Sequence, residues 1–112
     1  MKEYFTPSSL NRKPTHPGEI IREDILKALK LSITQAAAQL HISRQSFHKI
    51  LGGTSSITPE MALKLAKFCG NTASFWLTMQ QTWDLWHAEK KIKDELALIK
   101  RHGAVLGDAL PA

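Results

Sequence analysis

Ser43, Arg44, Gln45, Ser46, His48 and Lys49 fall within one short stretch, interrupted by Phe47 and followed by Ile50. On a helix, Phe47 and Ile50 share one face and the polar residues take the other. Those polar types suit the edges of bases in a DNA major groove. An arginine presents a two-pronged donor matched to guanine O6 and N7, and a glutamine pairs with adenine N6 and N7. Ser43, just ahead of the helix, can cap it, and the capped N-terminus can hold a phosphate. Thr34 and Gln35, at the start of the preceding helix, suit phosphate oxygens, as does Thr54 in the loop Thr54-Ser55-Ser56. Phosphate contacts of this kind position a protein on DNA and weaken as salt rises.

This chemistry needs two short helices held at a fixed angle, and the flanking residues supply them. Ser32-Ile33-Thr34-Gln35 is a capping-box pattern, which opens a helix carrying Ala36, Ala37, Ala38 and Leu40. Ala37 is small enough to let a second helix cross it closely. His41-Ile42 forms the turn, and a helix over about 44–51 then ends at Gly52-Gly53. His41 takes a place where the backbone is left-handed, and histidine is among the side chains that tolerate it. Two helices joined by a tight turn, the second polar at its start, form a helix-turn-helix.

The remaining elements are also helical. Pro17 suits the first position of a helix over about 17–30, with Ile21, Ile25 and Leu29 as its buried stripe. Thr58 caps a helix that begins at Pro59 and ends near Cys69, before Gly70. A fifth helix follows Asn71-Thr72 and carries Phe75, Trp76, Met79, Trp83 and Trp86, then Ile92, Leu96 and Ile99. Unbroken, it would reach about Arg101. No window has the alternation that a strand requires. Residues 1–15 read as an irregular arm, 16–102 as the helix-turn-helix domain with its C-terminal helix, and 103–112 as a flexible tail.

The chain has 112 residues, 43% hydrophobic and 22% charged, which is enough for one domain with its own core. A formal charge of +5 favours an anionic partner. One cysteine leaves no disulfide framework and no cysteine-rich zinc site. No apolar run is long enough to span a bilayer, and the start lacks a signal peptide, so a cytoplasmic protein without membrane contact is expected. Cys69 reads as a buried structural thiol.

The segments His16-Pro17-Gly18-Glu19-Ile20 and Ser43-Arg44-Gln45-Ser46-Phe47 resemble those of the HigA/VapI antitoxins, within the phage-repressor-like (XRE) helix-turn-helix proteins. The same is true of 57–66, of Phe75-Trp76-Leu77-Thr78-Met79-Gln80 and of Trp83-Asp84-Leu85-Trp86. The resemblance implies an all-α, five-helix, lambda-repressor-like DNA-binding domain with a long C-terminal helix. It also implies two roles: repression of the protein's own operon at a palindromic operator, and neutralisation of a cognate small basic toxin, typically an mRNA endonuclease. It places Arg44, Gln45 and Lys49 at base-reading positions, and Ser46 and Gln35 nearer the phosphates. It carries over no toxin contact, though the arm 1–15 and the first helix are candidates.

One short helix reads few bases, so a homodimer reading two half-sites about 34 Å apart is expected. Trp76 and Trp83 can face the core while Trp86 with Leu85 faces a second subunit; the alternative puts all three tryptophans in the core. An enzyme is the first rival. Asp84 and His87 lie three apart, and His41 and His48 lie in the turn before the recognition helix and on that helix, but neither pair comes with a nucleophile, a phosphate loop or a metal-binding spacing. No cofactor or metal is expected. The closest alternative is a free-standing regulator without a toxin.

Overall fold

The computed structural model describes residues 12–103, so the expected arm up to residue 11 and the expected tail from residue 104 lie outside the described residues. Six helices and no strand are found among the described residues. The first, α1, combines Pro17–Ile20, a π-turn over Ile21–Ile25 and Leu26–Leu29. After it come α2 (Ile33–Leu40), α3 (Arg44–Leu51), α4 (Pro59–Cys69), α5 (Ala73–Lys91) and α6 (Lys93–Leu98).

Local capping sets most of these boundaries. The Ser32 hydroxyl accepts the Gln35 N–H at 3.0 Å while the Gln35 side chain accepts the Ser32 N–H at 2.9 Å, which completes the capping box. At α3, α4 and α5 the cap runs one way only: the hydroxyls of Ser43, Thr58 and Thr72 accept the N–H groups of Ser46, Met61 and Phe75. His16 caps α1, its Nδ1 accepting the Gly18 N–H at 2.9 Å. Gly70 closes α4 at φ 77°, in the left-handed region.

The core is one cluster in which Ile21, Phe47, Leu65, Trp76 and Met79 are essentially sealed from solvent. Helices α4 and α5 pack together, α2 crosses α3 over buried Ala36 and Ala37, and the start of α1 lies against the end of α3. At that last crossing no side chain intervenes. A Cβ on Gly18 would stand 2.0 Å from the Ile50 carbonyl oxygen, so only glycine fits.

Two expectations need correction. The stripe of α1 does not run Ile21, Ile25, Leu29: Leu29 is 49% exposed and Leu26 is buried. The π-turn is the reason. The Leu26 N–H bonds to the Ile21 carbonyl, five residues back, so everything after Ile25 is rotated by one position. The long C-terminal helix does not continue to Arg101 either. It breaks at Ile92 (φ −111°, ψ 23°). Lys90 and Lys91 occupy the last turn of α5 while Asp94 and Glu95 occupy the first turn of α6, so the charges favour an end followed by a new start. No residue of α6 is buried to hold the two segments in line.

Candidate nucleic-acid interface

Helix α3 divides as its pattern requires. Phe47, Ile50 and Leu51 are buried, while Ser43, Arg44, Gln45, Ser46, His48 and Lys49 are exposed. The Ser43 hydroxyl accepts the Ser46 N–H at 3.0 Å and donates to the Ser46 hydroxyl at 2.8 Å, which ties the first turn together. Arg44 and Gln45 therefore project from a fixed N-terminal turn, at the positive end of the helix dipole.

The turn before α3 is held just as firmly. His41 sits at φ 57°, ψ 45°, the left-handed conformation expected for it. Its carbonyl accepts a hydrogen bond from the Lys64 Nζ at 3.0 Å, which links the turn to α4. Thr34 and Gln35 are exposed at the start of α2, with Gln35 oriented by the capping box. A groove of about 380 Å³ joins Ser46 and Lys49 of α3 to Ser55, Ser56 and Lys64. Thr54 is exposed, but its hydroxyl donates back to the Lys49 carbonyl at 3.2 Å, so that donor is directed at the helix end.

The charge distribution suits a polyanion. Between Asp24 and Glu60 the chain carries no carboxylate, while Lys27, Lys30, Arg44 and Lys49 lie inside that interval. This signal is legible in the sequence alone and spans the whole helix-turn-helix.

Two supporting residues escaped the pattern reading. Gln80 is a polar residue on the buried stripe of α5. Its Oε1 accepts the Ile57 N–H at 2.9 Å, and its Nε2 donates to Asp84 at 3.0 Å, which anchors the loop between α3 and α4. Its place beside Met79 at helical spacing from Trp76 is the one available clue. His16 is buried between the start of α1 and α5, its ring edge-on to Trp83 with centroids 5.0 Å apart. Burial depresses the basicity of the His16 imidazole below its usual value, outweighing the opposite pull of Asp84 and Glu19.

The residues of the enzyme reading are occupied otherwise. Asp84 accepts from Gln80, and His87 packs against Trp83 and Trp86 at centroid distances of 4.4 and 5.1 Å. No group of side chains among the described residues is placed to hold a metal ion. Cys69 is half-buried rather than buried as expected, because it packs at the edge of the core, and this partial burial raises its thiol above the usual range. No helix among the described residues is long and apolar enough to cross a membrane.

A family model described as helix-turn-helix matches residues 23–76. An HTH-type transcriptional regulator of Haemophilus influenzae is 42% identical over 93 residues, covering 81% of this chain and 87% of that one. The chain belongs to the helix-turn-helix regulators. This is a DNA-binding, non-enzymatic kind of protein. The fold of this helix-turn-helix regulator is similar to that of an addiction module antidote protein of a HigA family from Coxiella burnetii, with a TM-score of 0.76 and 38% identity, covering 81% of this chain and all of that one. It is also similar to the antitoxin GraA in complex with its operator, with a TM-score of 0.74 and 30% identity, covering 93% and 99%. The segments on which the HigA/VapI resemblance rests thus lie in a chain whose structural neighbours include antitoxins of that kind.

Proposed function

We propose that this protein is the antitoxin of a type II toxin–antitoxin module. It represses its own operon by binding a palindromic operator as a homodimer, and it neutralises a small basic mRNA-endonuclease toxin. The observation that carries the DNA-reading half is the exposed face of α3, polar from Ser43 to Lys49 over a buried Phe47 and Ile50. Arg44 and Gln45 read base edges, with Lys49 and His48 further along the groove. Ser43, Ser46, Thr34 and Gln35 hold phosphates, and Thr54 borders them from the following loop. GraA, a protein of the same fold, has been seen in complex with its operator, which supports the same use of this surface.

Trp76 is fully buried, whereas Trp83 and Trp86 are half-buried and Leu85 is 70% exposed. That surplus of apolar surface on α5 supports placing the second subunit there, with Trp86 and Leu85 at the contact.

The DNA half is tested by replacing Arg44 and Gln45 together with alanine. Both are exposed, so the melting temperature should stay within a few degrees, while preference for the operator over scrambled DNA disappears. An unchanged preference would reject α3 as the reading helix. The toxin half is tested by mild purification of the tagged protein from its native host, with mass spectrometry of whatever accompanies it. A stoichiometric small basic chain supports the antitoxin reading. Recovery of the protein alone, still retaining its own promoter DNA, would identify a free-standing regulator.

A further inference from the structure

Gly18 and Arg22 lie four residues apart on one face of α1, and they meet two successive carbonyls in the last turn of α3. Gly18 abuts the Ile50 carbonyl, and the Arg22 Nη1 donates to the Leu51 carbonyl at 2.6 Å. The last carbonyls of a helix lack partners within it and carry its negative end, so they attract cationic donors. Here the following loop takes three of the four: Gly52 bonds to His48, Gly53 to Ile50, and Thr54 and Ser55 to Lys49. The fourth, Leu51, is bonded by Arg22. The guanidinium is itself held, with Nε donating to Glu23 at 2.9 Å and Lys27 bracing the same carboxylate at 3.0 Å.

We propose that Arg22 is a positioning residue for DNA reading: it touches no DNA but fixes the angle of α3, and thereby which base edges Arg44 and Gln45 reach. The inference rests on α3 being the recognition helix. Its physical basis is leverage. From Leu51 to Arg44 the helix runs roughly 10 Å, so a pivot of about 6° at the Leu51 end moves the reading end by about 1 Å. Base-edge hydrogen bonds hold over only a few tenths of an ångström, so such a pivot breaks them. Phosphate contacts from flexible side chains tolerate it.

The test uses the full chain as wild type, Arg22→Ala and Arg22→Lys. The probes are a duplex that the wild type enriches from a random pool and a scrambled duplex of equal length. Binding is followed by fluorescence anisotropy over a range of salt, well below each protein's melting temperature. Arg22→Ala should weaken binding to the enriched duplex about tenfold, the equivalent of one charge-assisted hydrogen bond. Its binding to the scrambled duplex and its salt slope should match the wild type. Arg22→Lys, which can still reach the carbonyl, should restore most of the preference. Should Arg22→Ala not fold, Arg22→Gln takes its place, with a shorter neutral donor and the same expected loss of preference. Wild-type preference in the alanine or glutamine variant would overturn the proposal. So would an equal loss on both duplexes with the salt slope reduced by about one, which marks a direct phosphate contact. A wild type that enriches no sequence would remove the recognition-helix reading itself, before any variant is compared.

Discussion

Replacing Gly18 with alanine sets two physical rules against each other. Gly18 lies in the first turn of α1 with no positive φ, and alanine is the better helix former there by about 1 kcal/mol. Propensity alone therefore predicts a more stable protein. The crossing predicts the reverse. The added Cβ would stand 2.0 Å from the Ile50 oxygen and 2.9 Å from its carbonyl carbon, whereas ordinary contact begins near 3.4 Å. Both obstacles are backbone atoms, so no side chain can rotate away, and α1 must retreat from α3 by an ångström or more. Overpacking of this sort costs about 1–3 kcal/mol, and a rigid obstacle belongs at the upper end. Subtracting the propensity gain leaves a net loss of about 2 kcal/mol, or roughly 8–16 °C in melting temperature for a domain of this size. Thermal unfolding followed by far-ultraviolet circular dichroism measures it directly. A Gly18→Ala protein that melts at or above the wild type would refute the close crossing and the placement of α3 derived from it.

Three further outcomes are expected. Phe47→Ala empties the centre of the core and should cost about 3–5 kcal/mol in denaturant unfolding, because Phe47 is fully buried; a loss below about 1 kcal/mol would place Phe47 outside the core. Gln80→Ala leaves the buried Ile57 N–H without its acceptor, which should destabilise by about 1–3 kcal/mol, and near-neutral unfolding would show that the loop does not depend on Gln80. His16 accepts the Gly18 N–H through Nδ1 and so must be neutral in the fold, and its folded pKa lies below the ordinary 6.5. The unfolded chain therefore binds the proton first as pH falls. The stability from a neutral His16 is present in full above pH 6.5 and is lost below it, down to the folded pKa. His16→Asn keeps a cap acceptor without titrating, so it should flatten the melting-temperature profile between pH 7 and pH 5; a profile as steep as the wild type's would assign the slope to another group.

The features readable from the chain are local ones. The caps at Ser32, Ser43, Thr58 and Thr72 join a side chain to a backbone N–H three residues on, so their spacing is visible in the chain. The left-handed His41 and the inward Phe47 and Ile50 follow from a turn length and a helical period, and these sufficed to mark the face of α3. The acid-free interval from Lys27 to Lys49 is equally legible. Features that depend on neighbours distant in sequence emerge only when the chain folds. Nothing in Ile21-Arg22-Glu23-Asp24-Ile25 announces a π-turn, which takes Leu29 off the buried stripe and substitutes Leu26. Nor does helical spacing separate Trp76, sealed in the core, from Trp83, flanked by His16 and Lys13, because every turn of α5 carries apolar residues and only packing assigns their partners. The roles of Gly18, Arg22 and Gln80 lie furthest from the sequence. Each meets a backbone group more than twenty residues away, and which group it meets is set only when the helices close around a common core.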